Sequence, residues 1–356
     1  MRRRAALAAV AAGVLAWAGV SPAGARQQRR SHHGSVQAFL LTSSPDSLTD
    51  LRAHAGAIGV VYPTYFECQA PGGALGGHDI PAIDAFASSQ GIAVMPRFNC
   101  QEGALVHRIL TEPSLRAALL SKLATIARRS AFAGVCLDLE NDGPADRGAL
   151  SSFVSELAAR LHSHHRRLAV VVDGVTGEGP GSPFAFYDDR ALSAAADSVF
   201  VMAWGTHWAA SAPGAITTLP FVAGVVRFLS ALPNRARFVI GAPMYGLDWT
   251  TTTAAGQPLS AGAPSGSAAA YEFGRVSALA RSVGAHATRD PSSQELTFAY
   301  KAPGGAGHEV WYMDARAVLG VLQIAHAAGF RVGLWRLGSE DQSLWSSALM
   351  GAGGMP

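Results

Sequence analysis

Charge is scarce in this chain. Asp, Glu, Lys and Arg make up 15% of its 356 residues, against 49% hydrophobic ones. That balance excludes wholesale disorder and provides for a sizeable core. Lysine is nearly missing, at Lys122 and Lys301 alone, which with the abundance of Ala and Gly reads as base bias in the coding sequence. Much of the net charge of +3 comes from Arg2–Arg4 and Arg26–Arg30, and no basic stripe follows, so no nucleic-acid partner is expected. Three cysteines are too few for a disulfide scaffold. There is no HExxH or comparable ligand set and no glycine-rich phosphate loop after the first strand, so no metal and no cofactor is expected. No internal repeat is visible.

Long apolar runs are also absent, except at the start. "MRRR" is followed by the apolar stretch Ala5 to Val20, and Ala23-x-Ala25 precedes Arg26. This reads as a signal peptide over residues 1–25, cut before a short linker at 26–34. The run falls short of the roughly 20 residues that span a bilayer, with an uncleaved anchor as the alternative. A secreted or cell-envelope protein is therefore expected. Export permits one disulfide, and Cys68 and Cys100, each following a predicted strand, could meet at one rim of a sheet. Cys136 reads as a buried thiol.

Short apolar runs alternate with helical patterns along the rest of the chain. The strand candidates are 36–41, 56–63, 92–98, 134–140, 168–173, 198–204, 237–245 and 332–338. Segments such as "LRAALLSKLATIARR" between them carry apolar residues three and four apart. Eight such strands predict an α/β fold, a (β/α)8 TIM barrel, with an open doubly wound sheet as the alternative. More than 80 residues separate the last two strands, too many for one crossover helix. They predict a small α+β insertion between strands 7 and 8, at about 250–312, then an outer helix "ARAVLGVLQIAHAAG". Residues 35–350 would form this barrel and 351–356 a frayed tail.

The chemistry is concentrated in "GVCLDLEN" (134–141). Side chains two apart on a strand share a face. Val135, Leu137 and Leu139 make one face apolar, while Cys136, Asp138 and Glu140 occupy the other. Carboxylates are costly to desolvate without partners. In a barrel the catalytic groups lie at the C-terminal ends of strands, which places Asp138 and Glu140 at the top of strand four. Trp204 ends strand six, Met244 and Tyr245 end strand seven, and Trp335 ends strand eight. Tyr62, Tyr65 and Glu67 follow strand two, and Arg97 and Asn99 follow strand three. Aromatic rings around two acids suit the apolar faces of sugar rings.

This pattern resembles glycoside hydrolase family 18, and within it the bacterial branch of spore-cortex-lytic N-acetylglucosaminidases. The family's strand-four motif D-G-x-D-x-D-x-E meets "AGVCLDLE", which keeps Gly134, Asp138 and Glu140. "VMAWGTHW" stands where the family has M-x-Y-D, and "IGAPMYGLDW" is similar to G-x-P-x-Y-G-x-x-W. "HEVWYMDARAV" and "GLWRLGSEDQSLW" are closer to the cortex-lytic branch. The resemblance implies a retaining glycosidase with substrate assistance. Glu140 would be the general acid and base, and Asp138 would orient a 2-acetamido group. Trp204, Tyr245, Trp335, Met202, Tyr62 and Asn99 would bind substrate. The implied partner is an N-acetylglucosamine-containing polysaccharide, peptidoglycan ahead of chitin, acted on by a monomer.

The chain departs from the family pattern at four positions. Ala133 and Cys136 replace two strand-four acids, the second at a position where the cortex-lytic branch can also lack Asp, Trp204 replaces a Tyr whose hydroxyl holds the acetamido oxygen, and Gly205 replaces an Asp. Three other readings therefore stay open. One is a glycan-binding protein without turnover. Another is an unrelated barrel enzyme. The third is a purely structural ion pair between Arg97 and the two acids.

Overall fold

Eight parallel strands alternate with outer helices, each strand burying apolar residues on both faces as a covered parallel sheet requires. They are β1 (Val36–Leu40), β2 (Ile58–Pro63), β3 (Ala93–Val94 and Arg97–Cys100), β4 (Gly134–Leu139), β5 (Arg167–Asp173), β6 (Ser198–Met202), β7 (Phe238–Pro243) and β8 (Arg331–Trp335). The computed structural model describes residues 34–69, 74–140, 143–177, 185–260, 268–347 and Met350. The expected signal peptide, all but the last residue of the expected linker, and the expected tail lie outside the described residues.

The strands pair in chain order, and β8 returns to pair with β1. β3 is in two pieces because Pro96, lacking an N–H, interrupts its ladder. Ala93–Val94 pairs with β2 and Arg97–Cys100 with β4. Met95 donates to Val61 and Cys136 to Pro96 across the break, so the barrel closes. The (β/α)8 barrel read from the sequence is the fold observed. Among the described residues no helix is long and apolar enough to cross a membrane.

The barrel interior is a packed layer of Phe39, Tyr62, Met95, Cys136, Ala169, Val171, Phe200 and Val239. The Phe39 ring meets Tyr62 at 4.9 Å, Phe200 edge-on at 4.9 Å and Trp335 at 5.0 Å. Gly241 on β7 and Gly333 on β8 leave room for Phe200, and a Cβ at either would overlap its ring. Phe200 is therefore the post on which the floor of the barrel mouth rests.

Two additions rise above the mouth. One is a hairpin of Phe66–Gln69 and Ala74–Gly77, which the sequence reading lacks. Its Ala-Leu-Gly-Gly strand has weak β propensity. Pairing of Phe66 and Glu67 with Phe98 and Asn99, and the disulfide Cys68–Cys100, hold it instead. The other is a five-stranded antiparallel sheet ordered Ala269–Glu272, Tyr245–Thr252, Gly307–Tyr312, Leu296–Lys301, Thr288–Arg289. It begins at Tyr245 rather than about 250, two residues after β7 ends. Its own small core joins Val276 of the helix Phe273–Ser282 to Phe298, Val310 and Tyr312.

Gly333→Ala should displace Phe200 and cost about 1–3 kcal/mol, as overpacked cores do. Denaturant melts of the variant against the parent check this, and an unchanged midpoint would mean that the interior layer has slack.

Candidate active site

The pleat of β4 sets the site. Leu137 and Leu139 pack outward in the main core, while Cys136 joins the barrel interior. Asp138 and Glu140 continue the interior row upward. β3 runs in register, with Arg97 beside Cys136 and Asn99 beside Asp138. A pocket of about 150 Å³ opens over these groups, lined by Arg97, Gln101, Asp138, Glu140 and the rings of Trp204 and Trp335, over Phe39, Val171, Phe200 and Met202.

Asp138 is buried, at 1% exposure. Arg97 donates to its Oδ2 from Nε and brings Nη2 into ion-pair contact with the same oxygen, while Oδ1 is buried without a hydrogen-bond partner. Arg97 Nη2 also donates to Asn99 Oδ1 at 2.9 Å and approaches Glu140 Oε1 at 3.5 Å. Glu140 accepts from Gln101 Nε2 at 2.8 Å, and its side chain is 18% exposed. Glu140 can thus meet a ligand that enters from solvent.

Burial, then the Asp138 charge, push the Glu140 carboxyl up to about 8, with a smaller push from Asp173. The Gln101 hydrogen bond and the Arg97 charge pull the other way. Asp173, at the end of β5, is pushed up to about 7 by burial and by Asp138. The surroundings favour the protonated form of Glu140 beside a buried Asp138 oxygen that has no hydrogen-bond partner. A carboxyl in such surroundings has the chemistry that a general acid requires, with a hydrogen-bond acceptor next to it.

The other sequence candidates fall in several places. Trp204, Trp335 and Met202 line the pocket with the two acids. Asn99 lies on its far side, on the wall of a second cavity of about 500 Å³ that shares Arg97. Thr42, Thr64, Glu67 and His78 line that cavity too. Tyr245 is half-buried, and burial, then the charges of Glu295 and Glu140, favour its neutral form, though it does not line the pocket. Tyr62 is a correction. It is wholly buried, its hydroxyl donates to Gln37, and its inward position on β2 sends the ring into the barrel interior rather than to the rim.

Gln101, Asp173, Phe39 and Phe200 belong to the site and were not chosen from the sequence. Gln101 had a legible signal, since it extends the inward row of Arg97 and Asn99. The ion pair with Arg97, weighed against catalysis, is present, but it occupies one oxygen of Asp138. Among the described residues no group of three or more His, Cys, Asp and Glu side chains is placed to hold a metal ion.

Known proteins share this framework. The family model for Glycosyl hydrolases family 18 matches residues 82–339. The chain is 24% identical over 238 residues to the cortical fragment-lytic enzyme of Bacillus anthracis, covering 67% of this chain and 54% of that protein. It thus spans about half the length of that relative. Among solved structures, a chitinase from Chromobacterium violaceum superposes with a TM-score of 0.75 at 25% identity, covering 87% of this chain and 96% of the other. The spore cortex-lytic enzyme SleL of Bacillus megaterium gives a TM-score of 0.75 at 21% identity, over 88% and 72%.

Asp173→Asn removes one of the two anions that help keep the proton on Glu140. Carboxyl 13C NMR should show Glu140 titrating near pH 8 in the parent and lower in the variant. An unchanged titration would leave Asp173 without influence on that group.

Proposed function

The chain belongs to glycosyl hydrolases family 18, and from that premise we propose that it is an exported glycosidase that cleaves β-linked N-acetylglucosamine-containing glycans, peptidoglycan ahead of chitin. The observation that carries the reading is the pairing of Glu140 and Asp138 on the wall of one pocket, with burial and the Asp138 charge pushing the Glu140 carboxyl up to about 8.

Glu140 gives its proton to the glycosidic oxygen as the C1–O bond breaks. The carbonyl oxygen of the substrate's own 2-acetamido group closes on C1, forming an oxazolinium ion. Asp138 accepts the acetamido N–H and offsets the positive charge. Glu140, now a carboxylate, takes a proton from water as the water oxygen attacks C1 and reopens the ring, so configuration is retained. Trp335 and Phe39 form an apolar floor for one sugar ring. The Trp204 indole N–H has no hydrogen-bond partner among the described residues and can donate to the acetamido oxygen, where the family has a Tyr hydroxyl.

Peptidoglycan is preferred because the cortical fragment-lytic enzyme and SleL carry cell-wall names. The cavity beside the pocket offers room for a neighbouring sugar of a polymer, being three times as large. Export rests on the N-terminal sequence pattern. A second reading, glycan binding without turnover, draws on Gly205, where the family has Asp.

Reducing-end release from peptidoglycan and from chitin oligosaccharides tests the reading, with Glu140→Gln alongside. Removing the general acid should lower turnover about 10²–10⁴-fold. Parent activity should fall as pH rises past about 8, where Glu140 loses its proton. Binding to both glycans with no release by the parent would favour the second reading instead.

A further inference from the structure

The family pattern places a carboxyl at the position of Cys136, on the face of β4 that carries Asp138. Here that position holds a thiol, wholly buried, whose pKa burial and the Asp138 charge push well above its usual range. A neutral thiol is a weak hydrogen-bond donor and no substitute for a shared carboxyl proton. The partner of Asp138 comes from the neighbouring strand instead. Arg97 sits in register with Cys136, and its Nε and Nη2 converge on Oδ2 of Asp138.

Arg97 is itself braced. Its guanidinium lies 5.1 Å from the ring centre of Trp335 and 5.8 Å from that of Phe39, and Nη2 donates to Asn99. A bond made to stabilise the fold would use both carboxylate oxygens, the fork-to-fork geometry that suits an arginine and a carboxylate. Here both donors meet one oxygen and the other is buried and bare. An unmade bond on a buried polar atom costs about 1–3 kcal/mol. A ligand N–H reaching Oδ1 would recover that cost.

We propose that Arg97 is a positioning residue that takes the place of a strand-four carboxyl, fixing Asp138 by Oδ2 at the pocket wall and leaving Oδ1 uncommitted for the N–H of a substrate's 2-acetamido group. The proposal rests on the glycosidase reading above. Selectivity for N-acetylated sugars is built into the unliganded site. Arg97 also tempers the hold of Glu140 on its proton, since its charge acts against that of Asp138.

Four variants test this: Arg97→Met, Arg97→Lys, Cys136→Asp, and Arg97→Met with Cys136→Asp. Each is assayed for kcat, KM and pH profile. Each is also combined with Glu140→Gln for calorimetric binding of N-acetylated and de-N-acetylated chitin oligosaccharides. Arg97→Met should lower kcat on the order of tenfold or more, move the basic limb of the profile above its parent value, and erode the preference for N-acetylated oligosaccharide. Adding Cys136→Asp to Arg97→Met should restore part of kcat by returning a carboxyl neighbour to Asp138.

Arg97→Lys keeps the charge without the two-donor geometry, so it should lower kcat while leaving the basic limb in place. It decides the matter if Arg97→Met does not fold. An Arg97→Lys protein with parental kcat and N-acetyl preference overturns the proposal. So does an Arg97→Met protein that melts earlier but keeps its profile and preference. A parent that neither cleaves nor binds these glycans overturns the glycosidase reading itself, whereas a cleaving parent with indifferent Arg97 variants overturns the positioning role alone.

Discussion

Three carboxyl groups, Asp138, Glu140 and Asp173, act on one another at a barrel mouth where, among the described residues, one guanidinium, Arg97, pairs with the first two. Removing that many charges from water is expensive, and one cation cannot compensate three anions. Protons make up the difference. Arg97 is committed to Asp138, and Glu140 and Asp173 are pushed up to about 8 and about 7. The acid role proposed for Glu140 would thus follow from a shortage of positive charge. A second lysine or arginine in the pocket would make a tighter ion cluster and a poorer proton donor.

The loops around the mouth are held by the same kind of buried polar contact. Glu295, in the insertion, is wholly buried and accepts the backbone N–H groups of Ile216 and Thr217 at 3.0 and 2.9 Å. Burial pushes its carboxyl up to about 8 against those bonds. Ile216 in turn accepts from Gly205 and Thr206, and Thr217 donates its hydroxyl to Ala203. The chain on both sides of Trp204 is therefore fixed through the insertion. On the opposite wall the disulfide does comparable work for the hairpin that lines the larger cavity.

Period-two alternation made β4 and its acids legible, because Val135, Leu137 and Leu139 could only face a core. Strand count and helix spacing gave the barrel for the same reason. The hairpin at 66–77 escaped because glycine and alanine carry little strand signal, and its pairing with β3 is nonlocal. Tyr62 was misplaced because a strand end and an inward phase look alike in sequence, and only packing distinguishes a rim ring from an interior one. Arg97 was visible as a candidate partner, but not its preference for one oxygen of Asp138. That depends on the β3–β4 register and on the rings of Phe39 and Trp335, which come from distant parts of the chain.

Register also gives the strand-six departure a cause. Gly205 has φ +96°, a backbone state that a side chain strains to reach, while the space around its missing Cβ is open. Conformation rather than crowding therefore demands the glycine. Its N–H is aimed at Ile216, the residue that Glu295 holds. Once the insertion anchors that loop, an aspartate at 205 is disfavoured by the path of the chain, whatever the chemistry next door. Trp204 then stands at the end of a differently turned strand, with its indole against Phe200 at 6.4 Å and its face on the pocket. The pair Trp204–Gly205 is one solution to holding a long loop. A donor in the pocket survives that solution, because the indole N–H is left without a partner among the described residues.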